Sequence, residues 1–303
     1  MKDYYLITGG AGFIGSHLVE SLLKTGKAVR VLDNLSTGRI ENLTPFMKNI
    51  DFIEGDIRDR EVVKTALNGV THVLHQAVED PMTTNEVNVT GTLNILDAAR
   101  QEGVKRLVFA SSSSVYGERG TGPKEETMCP QPLSPYAASK LAGEQYVLAF
   151  CRVYDLETVG IRYFNVFGPR QDPNSEYAAV IPKFVSAFQL KAPCTIYGDG
   201  EQTRDFTYID NVVKGNLLAL EHPNAPGHVF NIACGGAITV NALHDMIREI
   251  MDSDFEPNHV APRKGDIRHS TSSIDKARSL LGYEPGIGIK EGLARTVESM
   301  TSC

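Results

Sequence analysis

Tyr136 and Lys140 are the two residues whose types and spacing most directly suggest chemistry. They are four residues apart at the start of a predicted helix, so they lie on one helical face. An ammonium group beside a phenol favours the phenolate, and so lowers a pKa that is near 10 in an isolated tyrosine. The pair could therefore transfer a proton near neutral pH. The alternative is an amphipathic helix with a solvated lysine, because this spacing is common by chance.

Four consecutive serines, residues 111–114, precede this pair and follow a predicted strand, 106–110. Open parallel sheets bind their ligands outside the carboxyl ends of the strands. Serine hydroxyls at such a strand end, combined with a Tyr–Lys pair farther on, therefore predict a ligand site.

A glycine-rich turn joins the first predicted strand, 4–8, to the first predicted helix. Gly10, Gly12 and Gly15 match G-x-G-x-x-G, and Gly9, Gly12 and Gly15 match a wider spacing. Such glycines allow a tight turn, a close approach of the backbone to a pyrophosphate, and close packing of helix on strand. The phosphates would then meet the free N–H groups at the start of the helix. A simple glycine turn is the alternative, but the strand and helix around it favour dinucleotide binding.

Asp33 ends the second predicted strand, eighteen residues beyond Gly15. A carboxylate at that place accepts hydrogen bonds from both ribose hydroxyls and repels a 2′-phosphate, so the sequence favours NAD over NADP. Asp33 could instead cap the loop to Asn34 and Ser36. Asp56, after the third predicted strand, is a candidate adenine contact, although a Gly-Asp pair is also common in simple turns.

These residues require a scaffold, and the first half of the chain alternates short β-rich runs with segments of helical period. Such alternation predicts βαβ units and a parallel sheet, and strands that are apolar on both faces indicate helices on both sides. The predicted strands are 4–8, 28–32, 51–54, 73–76, 106–110 and 157–163, and the predicted helices are 14–24, 61–67, 85–102 and 136–153. The predicted fold class is α/β, a Rossmann-type doubly wound parallel sheet.

The second half of the chain looks different. After about residue 169 the pattern loosens, and Pro, Gly and polar residues become frequent. Helical period returns in the segments 179–190, 209–221, 240–251 and 273–281. We expect residues 1–170 to form the dinucleotide-binding domain, with 207–234 returning to it. Residues 171–206 and 235–303 are expected to form a smaller C-terminal α/β substrate lobe.

Composition limits the class of protein. The chain has 303 residues, of which 42% are hydrophobic and 22% charged, enough for one large core. Its net charge of −7 argues against a nucleic-acid partner. Five scattered cysteines without metal-ligand spacing indicate reduced thiols and predict no metal site. No apolar run reaches the roughly 20 residues that span a bilayer, and the strand at residue 4 leaves no room for a signal peptide, so we expect a cytoplasmic protein without a membrane partner.

In this order, the glycine-rich turn, the segment SSSSVYG at 111–117 and the motif Tyr-x-x-x-Lys resemble the extended short-chain dehydrogenase/reductase superfamily. Two later segments, RYFNVFGP at 162–169 and GDGEQTRDF at 198–206, are similar to the nucleotide-sugar enzymes within it, above all to the UDP-glucose 4-epimerase type. The resemblance extends from residue 6 to about residue 281, which is nearly the whole chain.

The resemblance implies a catalytic set. In that family the tyrosine is the catalytic base, so Tyr136 would take the C4 hydroxyl proton of the sugar while the C4 hydride passes to NAD. Lys140 would favour the phenolate and hold the nicotinamide ribose. Ser112, four residues before Tyr116, would hydrogen-bond the reacting oxygen. The other three serines of the run are near neighbours that could take its place.

The resemblance also implies the binding residues. Those for NAD are Gly9, Gly12, Phe13, Ile14, Gly15, Asp33, Asn34, Ser36, Thr37, Gly38, Asp56, Ile57, Gln76, Ala77, Asn88, Tyr136, Lys140 and Phe164. Those for the UDP-sugar are Ser112, Tyr136, Asn165, Ala179, Val180, Tyr197, Arg204, Arg263, Asp266 and Ser270. Arginine suits a diphosphate because its guanidinium forms two parallel hydrogen bonds. Ser270 falls where some relatives have a bulky tyrosine, so its small side chain should leave room for a 2-acetamido group.

Residues 113 and 114 distinguish the activities of the family. By resemblance, sugar-nucleotide dehydratases carry Asp-Glu there, related decarboxylases keep the Glu, and GDP-fucose-synthase-like enzymes use a Cys in this stretch. Both residues are serine in this chain, which cannot serve as the acid and base of an elimination. The remaining activity is 4-epimerisation of UDP-glucose and UDP-galactose, with UDP-GlcNAc and UDP-GalNAc left open. The 4-keto sugar would turn to present its other face and take the hydride back.

Two alternatives stay open. Another nucleotide-sugar oxidoreductase of the superfamily would accumulate a keto product or NADH. A non-catalytic NAD-sensing protein would have no need of the base, so the intact set Ser112, Tyr136 and Lys140 argues against it.

Two further features bear on the loop and the assembly. Only residues 78–80 separate Ala77 from Pro81, where the family usually has a longer loop, so no sugar contact is carried over from it. Helices 85–102 and 136–153 correspond to those that form a four-helix bundle in family dimers, which predicts a homodimer. Packing on the sheet is the alternative explanation for their apolar positions.

Overall fold

A computed structural model describes residues 3–76, 84–118, 122–172, 180–262 and 267–301 of the chain. Its strands are β1 Tyr4–Thr8, β2 Ala28–Asp33, β3 Ile50–Glu54, β4 His72–His75, β5 Arg106–Ser112, β6 Glu157–Tyr163, β7 Val166–Phe167, β8 Thr195–Tyr197, β9 Thr203–Arg204, β10 Thr207–Tyr208, β11 Val229–Ile232, β12 Ile238–Thr239, β13 Asn258–Val260 and β14 His269–Ser270. Its α-helices are α1 Phe13–Lys24, α2 Arg60–Leu67, α3 Thr92–Gln101, α4 Pro135–Val153, α5 Val180–Gln189, α6 Ile209–Glu221, α7 Val240–Ile250, α8 Asp275–Leu281 and α9 Ile289–Thr301.

The central sheet has seven strands in the order β11-β6-β5-β4-β1-β2-β3. Every neighbouring pair in it is parallel. The order reverses between β1 and β4, where two crossovers leave in opposite directions and open a crevice at the carboxyl ends of the strands. This topology confirms the Rossmann-type α/β fold predicted from the alternating pattern.

Helices cover both faces of this sheet because its strands are apolar on both sides. Along β1, Tyr5 and Ile7 belong to one buried cluster and Leu6 to the other. Helix α1 contacts α6, and α3 contacts both α2 and α4. Each fully buried aliphatic side chain contributes about 1.5–3 kcal/mol, so the two clusters stabilise the scaffold of the crevice.

Local signals set the start of α4, the helix that carries the Tyr–Lys pair. The Ser134 hydroxyl accepts a hydrogen bond from Ala137 N at 3.1 Å, and Pro135 occupies the first helical position. Farther along, a Cβ added to Gly143 would lie 2.7 Å from Phe109 Cζ. Glycine therefore lets α4 approach β5 closely.

The second half of the chain builds smaller sheets. Strands β12, β9 and β14 form one, and β7/β10 and β8/β13 form two parallel pairs. Helices α5, α7 and α9 pack together. Strand β11 joins the central sheet beside β6. The division into two domains with the bounds given above stays a prediction. Among the residues described, no helix has the length and apolarity needed to cross a membrane.

The structure differs from the sequence prediction in four respects. Strands β7 to β14 were not predicted, because each has only two to four residues, too few to show an alternating pattern. The helix predicted over 85–102 begins with a π-helical segment, Glu86–Gly91, and becomes α-helical only at Thr92. Strand β5 continues to Ser112, so two of the four serines belong to the strand. Helix α9 was not predicted, because its polar residues hide an apolar stripe that packs on the lobe. The other predicted boundaries are within about two residues of those observed.

Candidate functional site

The glycine-rich turn brings the start of α1 close to the end of β1. Gly12 N donates to Gly9 O at 3.1 Å, and Gly12 precedes α1 without a side-chain cap. A Cβ on Gly15 would lie 2.1 Å from Gly9 O, so only glycine fits there. The uncapped N–H groups of the first turn, together with the dipole of a twelve-residue helix, suit an anionic group.

Asp33 links this turn to the loop that follows β2. Its Oδ2 accepts from Ala11 N and its Oδ1 from Leu35 N, both at 2.9 Å. Burial raises the pKa of Asp33, and the two N–H donors oppose that rise. A carboxylate has about four acceptor positions, so two remain for the hydroxyls of a ribose. The capping role considered for Asp33 is real at Leu35, whereas Ser36 N is bound by Asn34 Oδ1 at 3.1 Å.

Asp56 forms the opposite wall with Asn34 and Arg58. Asn34 Nδ2 donates to Asp56 Oδ2 at 2.9 Å, and the Arg58 guanidinium binds both oxygens of Asp56 at 3.0 and 2.8 Å. The Arg58 hydrogen bonds lower the pKa of Asp56 to about 2. Arg58 was not predicted from the sequence, because its partner Asp56 looked like an isolated turn residue.

A cavity of about 570 Å³ lies between these walls. The predicted NAD residues that line it are Gly9, Gly12, Phe13, Ile14, Gly15, Asp33, Asn34, Ser36, Thr37, Gly38, Asp56, Ile57, Gln76 and Tyr136. Thr8, Leu32, Gly55, Arg58 and Val87 complete the lining. The glycine turn, the uncapped start of α1 and the buried carboxylate of Asp33 together fit a dinucleotide.

Three other predicted NAD residues are buried and do not line the cavity, and one falls outside the described ranges. Asn88 and Phe164 are fully buried, and Lys140 is 1% exposed. Asn88 Nδ2 donates to Ser139 Oγ at 3.0 Å, so its side chain supports α4. Ala77 is the residue that lies outside the described part of the chain.

Strand β5 holds the side chain of Lys140 in place beside Tyr136. Its Nζ donates to Ala110 O at 2.8 Å, and lies 5.7 Å from the centre of the Tyr136 ring and 5.4 Å from that of Phe109. An ammonium group has three donors, so the predicted contact of Lys140 with a ribose stays a prediction. The ammonium group is therefore fixed beside the phenol, where a positive charge favours the phenolate form.

The four serines separate into different environments. Ser111 is buried and donates to Glu144 Oε2 at 2.8 Å, which directs it away from the strand end. Ser112 ends β5 and caps a 3₁₀ helix, Ser113–Tyr116. Ser112 Oγ accepts from Ser114 N at 3.2 Å and from Ser114 Oγ at 2.9 Å. Ser112 is therefore half-buried at the strand end, two residues beyond the carbonyl that binds Lys140.

A buried polar network that the sequence did not reveal holds the Tyr–Lys helix against the sheet. Arg162 on β6 forms two hydrogen bonds with Glu144 on α4, at 2.6 and 2.9 Å. The Arg162 guanidinium lies 4.6 Å from the centre of the Tyr116 ring, and Tyr116 OH donates to Asn231 Oδ1 at 2.7 Å. The sequence signal is the spacing of Tyr136, Lys140 and Glu144 at every fourth residue.

A second polar chain runs from β1 to the π-helical segment. Thr8 Oγ1 lies 2.6 Å from His75 Nδ1, and His75 Nε2 lies 3.0 Å from Thr92 Oγ1. Thr92 Oγ1 donates its only hydrogen to Asn88 O at 2.6 Å, so His75 Nε2 must be the donor to Thr92. Nδ1 then accepts from Thr8, and His75 is a neutral imidazole. Burial lowers the pKa of His75 to about 3.

The predicted substrate residues that are described lie on short elements of the second half. Asn165 Nδ2 donates to Asp205 O at 3.2 Å, next to Arg204. Arg204 and Ser270 are register partners on β9 and β14. Val180 begins α5 and Tyr197 ends β8. Ala179, Arg263 and Asp266 lie outside the described residues.

Asp205 organises the elements around Arg204. It is fully buried, and its oxygens accept from Cys234 N at 3.0 Å, Gly235 N at 3.0 Å and Ser272 N at 3.3 Å. Burial raises the pKa of Asp205 to about 7, and the three N–H donors oppose that rise. Its motif was recognised in the sequence, but its bonds to two distant segments were not. Within the described ranges no group of three or more His, Cys, Asp or Glu side chains could hold a metal ion.

The fold and this cavity define a Rossmann-type dinucleotide-binding protein. The sequence profile of the NAD dependent epimerase/dehydratase family matches residues 5–233. The chain belongs to this family, which confirms the resemblance seen in the sequence, and its cofactor is NAD.

Solved structures and curated relatives cover nearly the whole chain. The UDP-glucose 4-epimerase of Mycolicibacterium smegmatis is 39% identical over 97% of both chains. The structure of UDP-glucose 4-epimerase with UDP-glucose from Thermotoga maritima is 40% identical, with a TM-score of 0.94 and 99% of each chain covered. The UDP-N-acetylglucosamine 4-epimerase of Methanobrevibacter ruminantium in complex with UDP-N-acetylmuramic acid is 39% identical, with a TM-score of 0.94 and 100% of this chain and 99% of the other covered.

Proposed function

We propose that this chain catalyses the 4-epimerisation of a UDP-hexose, with UDP-glucose and UDP-galactose as the first candidates. The observation that carries the proposal is the end of β5. Ser112 is half-buried there, and among the described residues its hydroxyl is bound only by the backbone N–H and the hydroxyl of Ser114. It lies two residues after Ala110, whose carbonyl oxygen binds Lys140. Groups for hydride-coupled proton transfer are present, and the acid–base pair of an elimination is absent from residues 113 and 114.

The chain's own residues supply proton transfer and orientation. NAD, held by the glycine turn and Asp33, would supply a reversible acceptor for the C4 hydride. Tyr136 takes the proton of the C4 hydroxyl, and Lys140, held by Ala110 O, stabilises the phenolate. Ser112 donates a hydrogen bond to the same sugar oxygen, which becomes a ketone. After the sugar turns, the phenol of Tyr136 returns the proton, so neither protons nor electrons are consumed overall.

Binding must be firm at the nucleotide and loose at the sugar, because the sugar has to turn. Arg204 and Asn165, next to the rigid Asp205 cluster, suit a diphosphate. Ser270, the register partner of Arg204, is half-buried and small. N-acetylated sugars are therefore the second candidate substrates, in agreement with the name of the Methanobrevibacter relative, a UDP-N-acetylglucosamine 4-epimerase.

Candidate sugars must be compared directly as substrates, because relatives of similar sequence identity are named for other activities. A UDP-glucuronate 4-epimerase is 35% identical to this chain, and a UDP-glucuronic acid decarboxylase 34% identical. A decarboxylase would release CO₂, another oxidoreductase of the family would accumulate a keto sugar or NADH, and an NAD-sensing protein would leave every sugar unchanged.

The test is incubation of the protein with UDP-galactose, UDP-GalNAc or UDP-glucuronate, without reductant, followed by proton NMR of the sugar. We expect UDP-glucose to form from UDP-galactose until equilibrium, and Tyr136→Phe to abolish the reaction. Tyr146→Phe on the same helix is the matched control, because Tyr146 is 40% exposed and does not line the cavity. If NAD binds and no 4-epimer appears from any of the three, the proposed function is wrong.

We also propose a cytoplasmic homodimer. Tyr146, Val153 and Tyr154 at the end of α4 are 40%, 67% and 47% exposed, which leaves an apolar strip on the helix predicted to pair. Light scattering after size exclusion should give twice the mass of the chain, and Val153→Asp should give a monomer.

A further inference from the structure

The oxygen of the Ser112 hydroxyl accepts two hydrogen bonds, which restricts where its own hydrogen can point. A serine hydroxyl donates one hydrogen bond and accepts at two lone pairs. Ser112 Oγ accepts from the backbone N–H of Ser114 at 3.2 Å and lies 2.9 Å from the Ser114 hydroxyl, which donates to it. With both lone pairs engaged, and with no described residue accepting from Ser112, its hydrogen is available to a third group.

We propose that Ser114 is a positioning residue that turns the Ser112 O–H toward the reacting sugar oxygen. This inference rests on the proposed function, because it assigns that oxygen as the acceptor. The donor bond from Ser114 also polarises the Ser112 hydroxyl, since a hydroxyl that accepts a hydrogen bond becomes a better donor.

The backbone around Ser114 is rigid enough for this task. Ser114 lies in the 3₁₀ helix Ser113–Tyr116, and Gly117 N donates to Ser114 O at 3.3 Å. Gln131 N donates to Val115 O at 2.9 Å. Tyr116 is buried, stacked on the Arg162 guanidinium and hydrogen-bonded to Asn231. The Ser114 hydroxyl is therefore presented by a segment that is fixed at both ends.

Hydrogen-bond direction, rather than size, is the property that this role requires. Threonine at residue 114 keeps the donor. Alanine removes it and leaves the Ser112 hydroxyl free to rotate. Asparagine and aspartate have nearly the same shape, but only asparagine can donate, whereas an ionised aspartate would accept the Ser112 hydrogen and withdraw it from the sugar.

The experiment compares kcat and KM for UDP-galactose in Ser114→Thr, Ser114→Ala, Ser114→Asn and Ser114→Asp, with bound NAD and the midpoint of thermal unfolding measured for each. We expect Ser114→Thr within twofold of wild type, and Ser114→Ala to lose about 3- to 10-fold in kcat with little change in KM. Ser114→Asp should be at least about tenfold slower than Ser114→Asn, because a hydrogen bond to a charged group is the stronger competitor.

Thr127→Ala, which removes an exposed hydroxyl bound to Glu125 and leaves the Ser112–Ser114 hydrogen bond in place, is the control and should keep kcat within twofold. Equal losses in Ser114→Asn and Ser114→Asp, or a Ser114→Ala variant as fast as wild type while Ser112→Ala is inactive, would show that Ser114 does not orient Ser112. A wild-type protein that epimerises no UDP-sugar overturns the proposed function itself, and this inference with it.

Discussion

Glu144 on the Tyr–Lys helix and Arg162 on the neighbouring strand form a fully enclosed ion pair, with side chains 1% and 4% exposed and oxygen–nitrogen distances of 2.6 and 2.9 Å. Glu144 also accepts from Ser111, the neighbour of Ser112. The pair therefore joins the helix that carries Tyr136 to the strand end that carries the proposed hydroxyl donor.

The first prediction concerns this pair. Glu144→Ala leaves the Arg162 charge buried without a counter-ion, and we expect it to lower the free energy of unfolding by about 3–5 kcal/mol. Urea unfolding at pH 7 measures the change. The control is Asp210→Ala, which breaks an ion pair between α6 and α9 in which Asp210 is 51% and Arg295 44% exposed. A loss of at most about 1 kcal/mol is expected there. Equal losses in both variants would contradict the special role of the buried pair.

The second prediction concerns the glycine turn. Gly15→Ala places a Cβ 2.1 Å from Gly9 O, so the turn or the helix must shift, at a cost of about 1–3 kcal/mol. Because the same groups are expected to meet the phosphates, the affinity for NAD should fall about tenfold or more, as measured by calorimetry. Gly236→Ala, where an added Cβ meets no atom within 4 Å, should bind NAD as the wild type does. Unchanged NAD affinity in Gly15→Ala would place the cofactor elsewhere.

The third prediction concerns Asp33. An amide has one oxygen and one NH₂ group, so in Asp33→Asn either Ala11 N or Leu35 N faces a donor instead of an acceptor. We expect NAD to bind about tenfold more weakly, and the preference for NAD over NADP to shrink because the charge that repels the 2′-phosphate is lost. Titration with both nucleotides tests this. Asp51→Asn, at an exposed residue bound to Arg30, is the control. A variant that keeps its full preference would remove Asp33 from cofactor selection.

The fourth prediction follows from the neutral His75. Its pKa is about 3 in the folded protein and near 6.5 when unfolded, so the unfolded chain binds the extra proton as the pH falls below 6.5. The folded state therefore loses stability in acid, by about 2 kcal/mol between pH 7 and pH 5 from this residue alone. His75→Asn should be less stable at pH 7 but should lose about 2 kcal/mol less over that range. His259→Asn, at an exposed histidine, should retain nearly all of the wild-type slope. An identical slope in His75→Asn would mean that the pKa of His75 is the same in the folded and unfolded states.

The sequence predicted those parts of the site that depend on neighbours along the chain. The glycine turn between β1 and α1, Asp33 at the end of β2, and the Tyr136–Lys140 spacing are local patterns, and each was placed correctly on its element. Fourteen of the predicted NAD residues line one cavity.

What the sequence did not reveal depends on long-range partners. In the sequence, Arg58 looks like an ordinary loop residue and Glu144 like an ordinary helix residue. Only the structure shows that Arg58 pairs with Asp56 and Glu144 with Arg162. Asp205 accepts hydrogen bonds from Cys234, 29 residues away, and from Ser272, 67 residues away. A periodic pattern of neighbouring residues cannot reveal such distant partners. The π-helical segment Glu86–Gly91 has an ordinary helical composition, so its extra residue per turn is visible only in the backbone.

The pairing of β9 with β14 has a consequence for how this protein could change its preferences. The two strands come from segments 66 residues apart, and backbone hydrogen bonds from Thr203 N to Arg268 O and from Asp205 N to Ser270 O, both 2.9 Å, flank Arg204 on each side. A substitution at residue 270 that displaces β14 must therefore displace Arg204 as well. Arg204 is the proposed diphosphate contact, so a change of sugar preference at residue 270 should also change the affinity for the nucleotide. Variants selected for a new sugar should thus need compensating substitutions on the partner strand before they regain tight binding.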